Sequence, residues 1–237
     1  ANQHLKNIII RDQQAMTITL AFDDDVAHIT IDDGGKNVIN HEVLDELETA
    51  WEKVEADAKA LILSGRPGSF CAGYDISVMT GDDPDAATRL GQRGGRFAHK
   101  LFGSGMPTVA VSTGHAFTIG AIWLACCDIR IGESGRFKYG MSEVALNVPF
   151  SPWPLEPLKE RLNPQHLIPV ILHSRIYDPE SAVDAGFIDE LVGTGEGMEK
   201  ARAVASELAK LPSEAYGQSK RQLRSKALAV MAEDLGL

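Results

Sequence analysis

A chain of 237 residues with 44% hydrophobic content can bury one large core, as a single domain or a domain with a helical appendage. Its formal charge of −10 sets up a field that repels nucleic acid and anionic lipid, so an anionic ligand needs a local basic pocket. No run approaches the ~20 apolar residues of a membrane span and no secretion-signal layout opens the chain, so a cytoplasmic protein with no membrane partner is expected.

Residues 1–15 carry little periodic pattern and are read as an N-terminal extension, variable or non-native. Two β-like runs follow, Thr17 to Phe22 and Val26 to Ile31, separated by the acidic turn Asp23, Asp24, Asp25. Asn40 is placed to cap a helix over about 41–56, where Val43, Leu44, Leu47, Trp51 and Val54 recur at helical spacing. Lys59 to Ser64 reads as a buried strand, and Gly65 to Gly73 as a turn rich in Gly and Pro. A second helix over about 84–102 leads to the strand Thr108 to Ser112, a helix at 119–127 and a strand at 128–132. Strands and helices alternating at this spacing predict an α/β fold with parallel strand pairs. Beyond Trp153 the strand signal almost vanishes, apart from Ile188 to Val192, and the region 193–237 reads as amphipathic helices. Their apolar faces can dock on their own domain or on a neighbouring subunit.

The stretch from Gly114 to Glu143 carries the chemistry. A small-residue turn enters an apolar helix that contains no acid, and one carboxylate, Glu143, follows. Such a turn aims backbone N–H groups and the positive end of a helix dipole at a developing oxyanion, beside an acid able to move a proton. Cys71, Cys126 and Cys127 form no C-x-x-C pair and read as reduced, buried hydrophobes. The seven histidines are scattered, so no metal site is expected.

Four segments together resemble the enoyl-CoA hydratase/isomerase (crotonase) superfamily. They are SGRPGSFCAGYDISVM (64–79), Gly114 to Asp128, GRFKYGMSEVALNVP (135–149) and SRIYDPESAVDAGFIDELV (174–192). Each alone is a weak match, whereas four in the right order and spacing are specific. The resemblance covers nearly all of the chain from Met16. It implies a crotonase-like spiral of repeated β-β-α units over 16–192, with 193–237 as a helical assembly region. It also implies a homotrimer or dimer of trimers, and a coenzyme A thioester as substrate with no cofactor.

Carried over residue by residue, the resemblance places the oxyanion donors at the backbone N–H groups of Tyr74 and Ile119, with Gly120 beside the latter. It places Lys36, Arg66, Ala72, Asp75, Ile122 and Trp123 around the acyl-CoA. Lys36 and Arg66 flank the loops where the family holds the nucleotide, with solvated surface charges the alternative for both. Asp75 also suits a helix cap, and Asp128 suits the junction of a helix and a strand. The family's Gly-Gly-Gly turn here reads Thr118-Ile119-Gly120. Ile122 stands where hydratases carry their first catalytic glutamate, and Glu143 fills the second position.

Hydration of an enoyl thioester is served by two carboxylates, whereas a 1,3-proton shift needs one base. A 3-enoyl-CoA to 2-enoyl-CoA isomerase with Glu143 as the catalytic acid/base is therefore the leading expectation. The alternatives are a hydratase, thioester hydrolase or decarboxylase recruiting an acid such as Glu133 or Glu156, and a non-catalytic acyl-CoA-binding protein. Lys220, Arg221, Arg224 and Lys226 form a modest basic cluster, too small against the overall acidity to predict nucleic-acid binding.

Overall fold

The computed structural model describes residues 16–237; the expected N-terminal extension, 1–15, lies outside them. Strand β1 (Ile18–Asp23) turns back on β2 (Val26–Ile31) in an antiparallel hairpin, with Asp24 in a left-handed conformation at the turn. A two-residue strand, β3 (Val38–Ile39), leads to helix α1 (His41–Asp57). The Asn40 side chain accepts the Val43 N–H at 2.9 Å, as the sequence predicts, and the stripe Val43, Leu44, Leu47, Ala50, Trp51 and Val54 is buried.

Strands β4 (Ala60–Gly65), β5 (Gly68–Cys71) and β6 (Gly73–Tyr74) precede the short α2 (Ile76–Met79) and the long α3 (Pro84–Phe102). The pattern then repeats with β7 (Thr108–Ser112), β8 (Gly114–Phe117) and α4 (Ile119–Cys126). It begins once more with β9 (Ile129–Glu133) and β10 (Tyr139–Gly140). Each turn of the spiral sends its first strand to a large sheet and its next to a small one. The large sheet runs β1-β2-β4-β7-β9-β11, with β11 at Glu190–Val192, and is parallel except for the first hairpin. The small sheet runs β10-β8-β5, and β3 pairs with β6 beside it, all parallel.

After a 3-10 turn at Val144–Leu146 come α5 (Pro152–Arg161), α6 (Pro164–Ile171), α7 (Pro179–Ala185), α8 (Gly197–Leu208), α9 (Ser213–Leu223) and α10 (Ser225–Leu235). No helix among the described residues is long and apolar enough to cross a membrane. The C-terminal helices dock on their own chain. Ala201 and Ala205 of α8 close one face of the large sheet over Val26, Ile62, Val109 and Ile131. Ala227, Met231 and Leu235 of α10 join the main core with Trp153 of α5.

A buried ion cluster fixes that docking. Asp128, at the end of α4, accepts from Lys220 Nζ (2.8 Å) and Tyr216 Oη (3.0 Å), from the Thr108 N–H (2.9 Å), and from Arg224 at 3.1 Å. Arg224 also donates to the Phe102 carbonyl and lies 4.2 Å over the Phe102 ring. Lys220 and Arg224, half of the basic cluster seen in the sequence, thus point into the protein and not to solvent. Burial pushes the Asp128 carboxyl up, and the two cations more than reverse this, holding it below the usual carboxylate range. Asp128→Ala strands two buried cations and is expected to cost about 3–5 kcal/mol. A urea denaturation series on the variant tests this, and a loss below about 1 kcal/mol would contradict the role given to the cluster.

Candidate active site

Two turns from different repeats meet at one end of the small sheet. The first follows β5, where Gly73 takes φ +114°, a conformation that excludes most side chains. In the β3–β6 ladder the Asp75 N–H donates to the Ile39 carbonyl at 2.9 Å. Successive N–H groups along a strand point to opposite sides, so the Tyr74 N–H faces away from β3. The second turn joins β8 to α4 at Thr118, which takes φ +49° and ψ −119°. Its N–H donates to the Gly140 carbonyl (3.1 Å), and its own carbonyl accepts the Ile122 N–H (3.0 Å). That is the first bond of the helix, so the Ile119 and Gly120 N–H groups before it have no intrahelical acceptor.

The turns are in direct contact. A Cβ added to Gly120 would lie 2.5 Å from the Cys71 carbonyl oxygen, and one added to Gly73 would lie 2.4 Å from Thr118 Oγ1. Both glycines are therefore required by close approach. Their absent side chains let the donors expected at Tyr74 and Ile119 sit on abutting loops, under the positive end of α4.

Glu143 reaches this place through β10. That strand pairs in parallel with β8, Gly140 opposite Phe117, so three residues later the chain stands level with the start of α4. The Glu143 carbonyl accepts from Leu146 (3.0 Å) and Val148 (2.8 Å), which fixes its backbone in the 3-10 turn. The residue is half-buried, yet its Oε2 is fully buried with no hydrogen-bond partner. Burial pushes the carboxyl up to about 7, against the downward pull of backbone N–H groups at Glu143 and Ser142. The Tyr74 phenol is raised chiefly by burial, then by the Cys71 and Glu143 charges, so the Glu143 carboxylate is felt at the first turn as well.

The remaining expected residues divide by position. Ile122 is buried in the first turns of α4. Trp123 is committed to the core, donating Nε1–H to the Gly94 carbonyl at 3.3 Å and packing edge-on to Phe97, so it backs the site from behind and does not line a cleft. The half-buried Ala72 donates its N–H to the Lys36 carbonyl at 3.1 Å. Lys36 is exposed, and Arg66 next to its loop pairs with Asp32 (3.1 Å) and donates to the Gly35 carbonyl (2.9 Å), so the two cations share one rim. Asp75 caps α2 through the Ser77 N–H at 2.8 Å.

Both alternative acids already have partners. Glu133 accepts the Gly195 and Gly197 N–H groups at the start of α8 (3.0 and 2.9 Å), and Glu156 pairs with Lys159 at 2.7 Å. No group of three acidic, His or Cys side chains fit to hold a metal occurs among the described residues.

One part of the site escaped the sequence reading. Gly94 of α3 has Tyr74 Oη where a Cβ would sit, at 2.3 Å, and Gly95 has Leu235 and Trp153 there at 2.6 and 2.9 Å. The signal was present: glycines at 91, 94 and 95 inside a 19-residue helix each cost ~1 kcal/mol against alanine, which calls for a packing reason.

Residues 21–235 match the family model described as enoyl-CoA hydratase/isomerase, and the chain belongs to that family. A crystal structure of an enoyl-CoA hydratase/isomerase family protein from Pseudomonas syringae is 30% identical, with a TM-score of 0.90, covering 94% of this chain and 97% of that one. Mouse mitochondrial enoyl-CoA delta isomerase 1 is 23% identical over 79% of this chain and 66% of its own length. The probable enoyl-CoA hydratase echA6 of Mycobacterium bovis is 28% identical over 79% of this chain and 74% of its own length. The chain thus spans just under two thirds of the mouse relative.

Because Glu143 is easier to protonate when folded, its burial costs stability as pH rises from 4.5 through about 7. Glu143→Gln removes that cost. Its melting temperature relative to wild type is expected to be higher at pH 8 than at pH 5; the opposite trend in thermal scans would show that the carboxylate is held by a favourable partner.

Proposed function

We propose that this protein moves the double bond of a 3-enoyl-CoA to the 2-position, with Glu143 as the single acid/base. The observation that supports this most strongly is the side-chain set: one carboxylate with a buried, unpartnered oxygen, and Ile122 in the place of a second. In the proposed step Glu143 takes the C2 proton, and the C–H electron pair moves through the carbonyl to leave a negative oxygen. The Tyr74 and Ile119 N–H groups hold that oxygen, each worth about 3 kcal/mol. The protonated Glu143 then delivers its proton to C4, and the electron pair returns to restore the thioester carbonyl. Protons and electrons balance without a cofactor.

A carboxyl with a pKa of about 7 is part ionised at neutrality and basic enough to share the proton with an enolate more evenly than an ordinary glutamate does. Adding water would need a second group to position it, and α4 carries no acid. Names of both kinds occur among the relatives, so the preference for isomerisation comes from these residues. Lys36 and Arg66 form the rim suited to the nucleotide phosphates. A homotrimer, or a dimer of trimers, would cover an apolar strip of Val144, Leu146 and Val148 with Ile168, Leu172 and Ile176, joined where the Ala145 N–H donates to Ser174 Oγ (3.2 Å).

The base must be ionised to act. With a 3-enoyl-CoA as substrate, kcat/KM is expected to rise about tenfold per pH unit below pH 7 and to level off above it. Glu143→Gln should lower kcat by ~10² to 10⁴. Wild-type protein that hydrates a 2-enoyl-CoA faster than it isomerises a 3-enoyl-CoA would overturn the reading.

A further inference from the structure

Five non-glycine residues among those described have positive φ: Asp24, Asn37, Thr118, Asn147 and Ser174. Asp and Asn tolerate this region through local hydrogen bonds, and a β-branched residue there is an outlier. Thr118 is the only β-branched one of the five. Its ψ of −119° also sets it apart from the ordinary left-handed helical conformation, which Asn147 shows with ψ 32°. Glycine would occupy this position without strain. A threonine before a helix usually earns its place by capping, but the Thr118 side chain makes no hydrogen bond to the first turn of α4.

What that side chain does is touch Gly73. Thr118 Oγ1 lies 2.4 Å from the place a Gly73 Cβ would take, with Thr118 Cβ and Cγ2 at 3.6 and 3.7 Å. The Thr118 backbone is clamped on both sides, by its N–H to Gly140 and its carbonyl from Ile122, so the side chain cannot retreat by moving the turn. Each contacting residue is immediately followed by a proposed donor, Gly73 by Tyr74 and Thr118 by Ile119. In the strained strand-to-helix elbow of α/β-hydrolases, the N–H of the residue after the strained one likewise serves an oxyanion hole.

We propose that Thr118 is a positioning residue: its strained backbone aims the Ile119 N–H, and its side chain, wedged on Gly73, sets the separation of the two donors. This rests on the oxyanion reading given above. The strain is local and persists because β8, β10 and α4 over-determine it. Misplacing a donor by a fraction of an ångström weakens stabilisation of the enolate oxygen while leaving the rest of acyl-CoA recognition intact.

The test uses a conjugated 2,4-dienoyl-CoA as a probe, whose absorption moves to longer wavelength when its carbonyl is polarised. It is bound to wild type, Thr118→Gly and Thr118→Ser, alongside kinetics on a 3-enoyl-CoA. Wild type and Thr118→Ser, which keeps the oxygen, are expected to show the same red shift. Thr118→Gly should lose at least half of it, with kcat down about tenfold, KM within about twofold, and a melting temperature no lower than wild type. A merely structural role would change the melting temperature and leave the shift alone. Full shift and full kcat in Thr118→Gly overturn the role of Thr118 while leaving the oxyanion site standing. A wild type that binds the probe with no shift overturns the oxyanion site itself, and the role of Thr118 with it.

Discussion

The site depends on how closely the start of α4 approaches the turn that follows β5. At Gly120 a single added carbon would overlap both the carbonyl oxygen and the Cβ of Cys71. That approach brings two main-chain N–H donors from separate repeats onto touching loops. It also puts the first turn of a wholly buried, acid-free helix beside them, where the dipole is not screened by water. The small sheet supplies the register: β5 and β10 flank β8, so the segment after each strand arrives at the same end. The proposed acid/base, Glu143, is therefore carried to this end by backbone pairing.

The fold treats its buried acids in three ways. Asp128 is surrounded by Lys220, Arg224, Tyr216 and Thr108, and is held ionised as a structural clamp. Glu133 is used up by two backbone N–H groups at the start of α8. Among the acids of the described residues, Glu143 alone keeps an oxygen buried and unpaired, and its carboxyl rises to about 7. A buried carboxylate oxygen with no partner is costly in a protein of marginal stability. Among the described residues no group hydrogen-bonds to that oxygen.

Much of the fold was legible because its long elements carry strong periodic signals. The cap at Asn40, the stripe on α1, the buried strands β4 and β7 and the apolar helix α4 all follow from spacing and local chemistry. The strands β3, β6 and β10 did not, since a two-residue strand has no alternation to detect. β5 and β8 lie in stretches that carry turn signals, since each begins on a glycine, Gly68 and Gly114. Docking of the C-terminal helices was left open between two surfaces, and the deciding feature, Asp128 meeting Lys220 and Arg224 about a hundred residues later, is a long-range pairing that composition reports only as a basic cluster. At the site, Glu143 and the paired turns were visible through motif order. The backbone of Thr118 was not, because threonine gives none of the warning that glycine gives of a positive φ.

In the proposed reaction Glu143 carries one proton between two carbons of the same substrate. The most direct measurement follows deuterium placed at C2 of a 3-enoyl-CoA during a single turnover in ordinary water. Part of the label is expected at C4 of the 2-enoyl product, and Glu143→Gln is expected to give neither transfer nor product within the time of a wild-type turnover. Label recovered at C4 undiminished in Glu143→Gln, or a product carrying added water in place of a moved double bond, would contradict it.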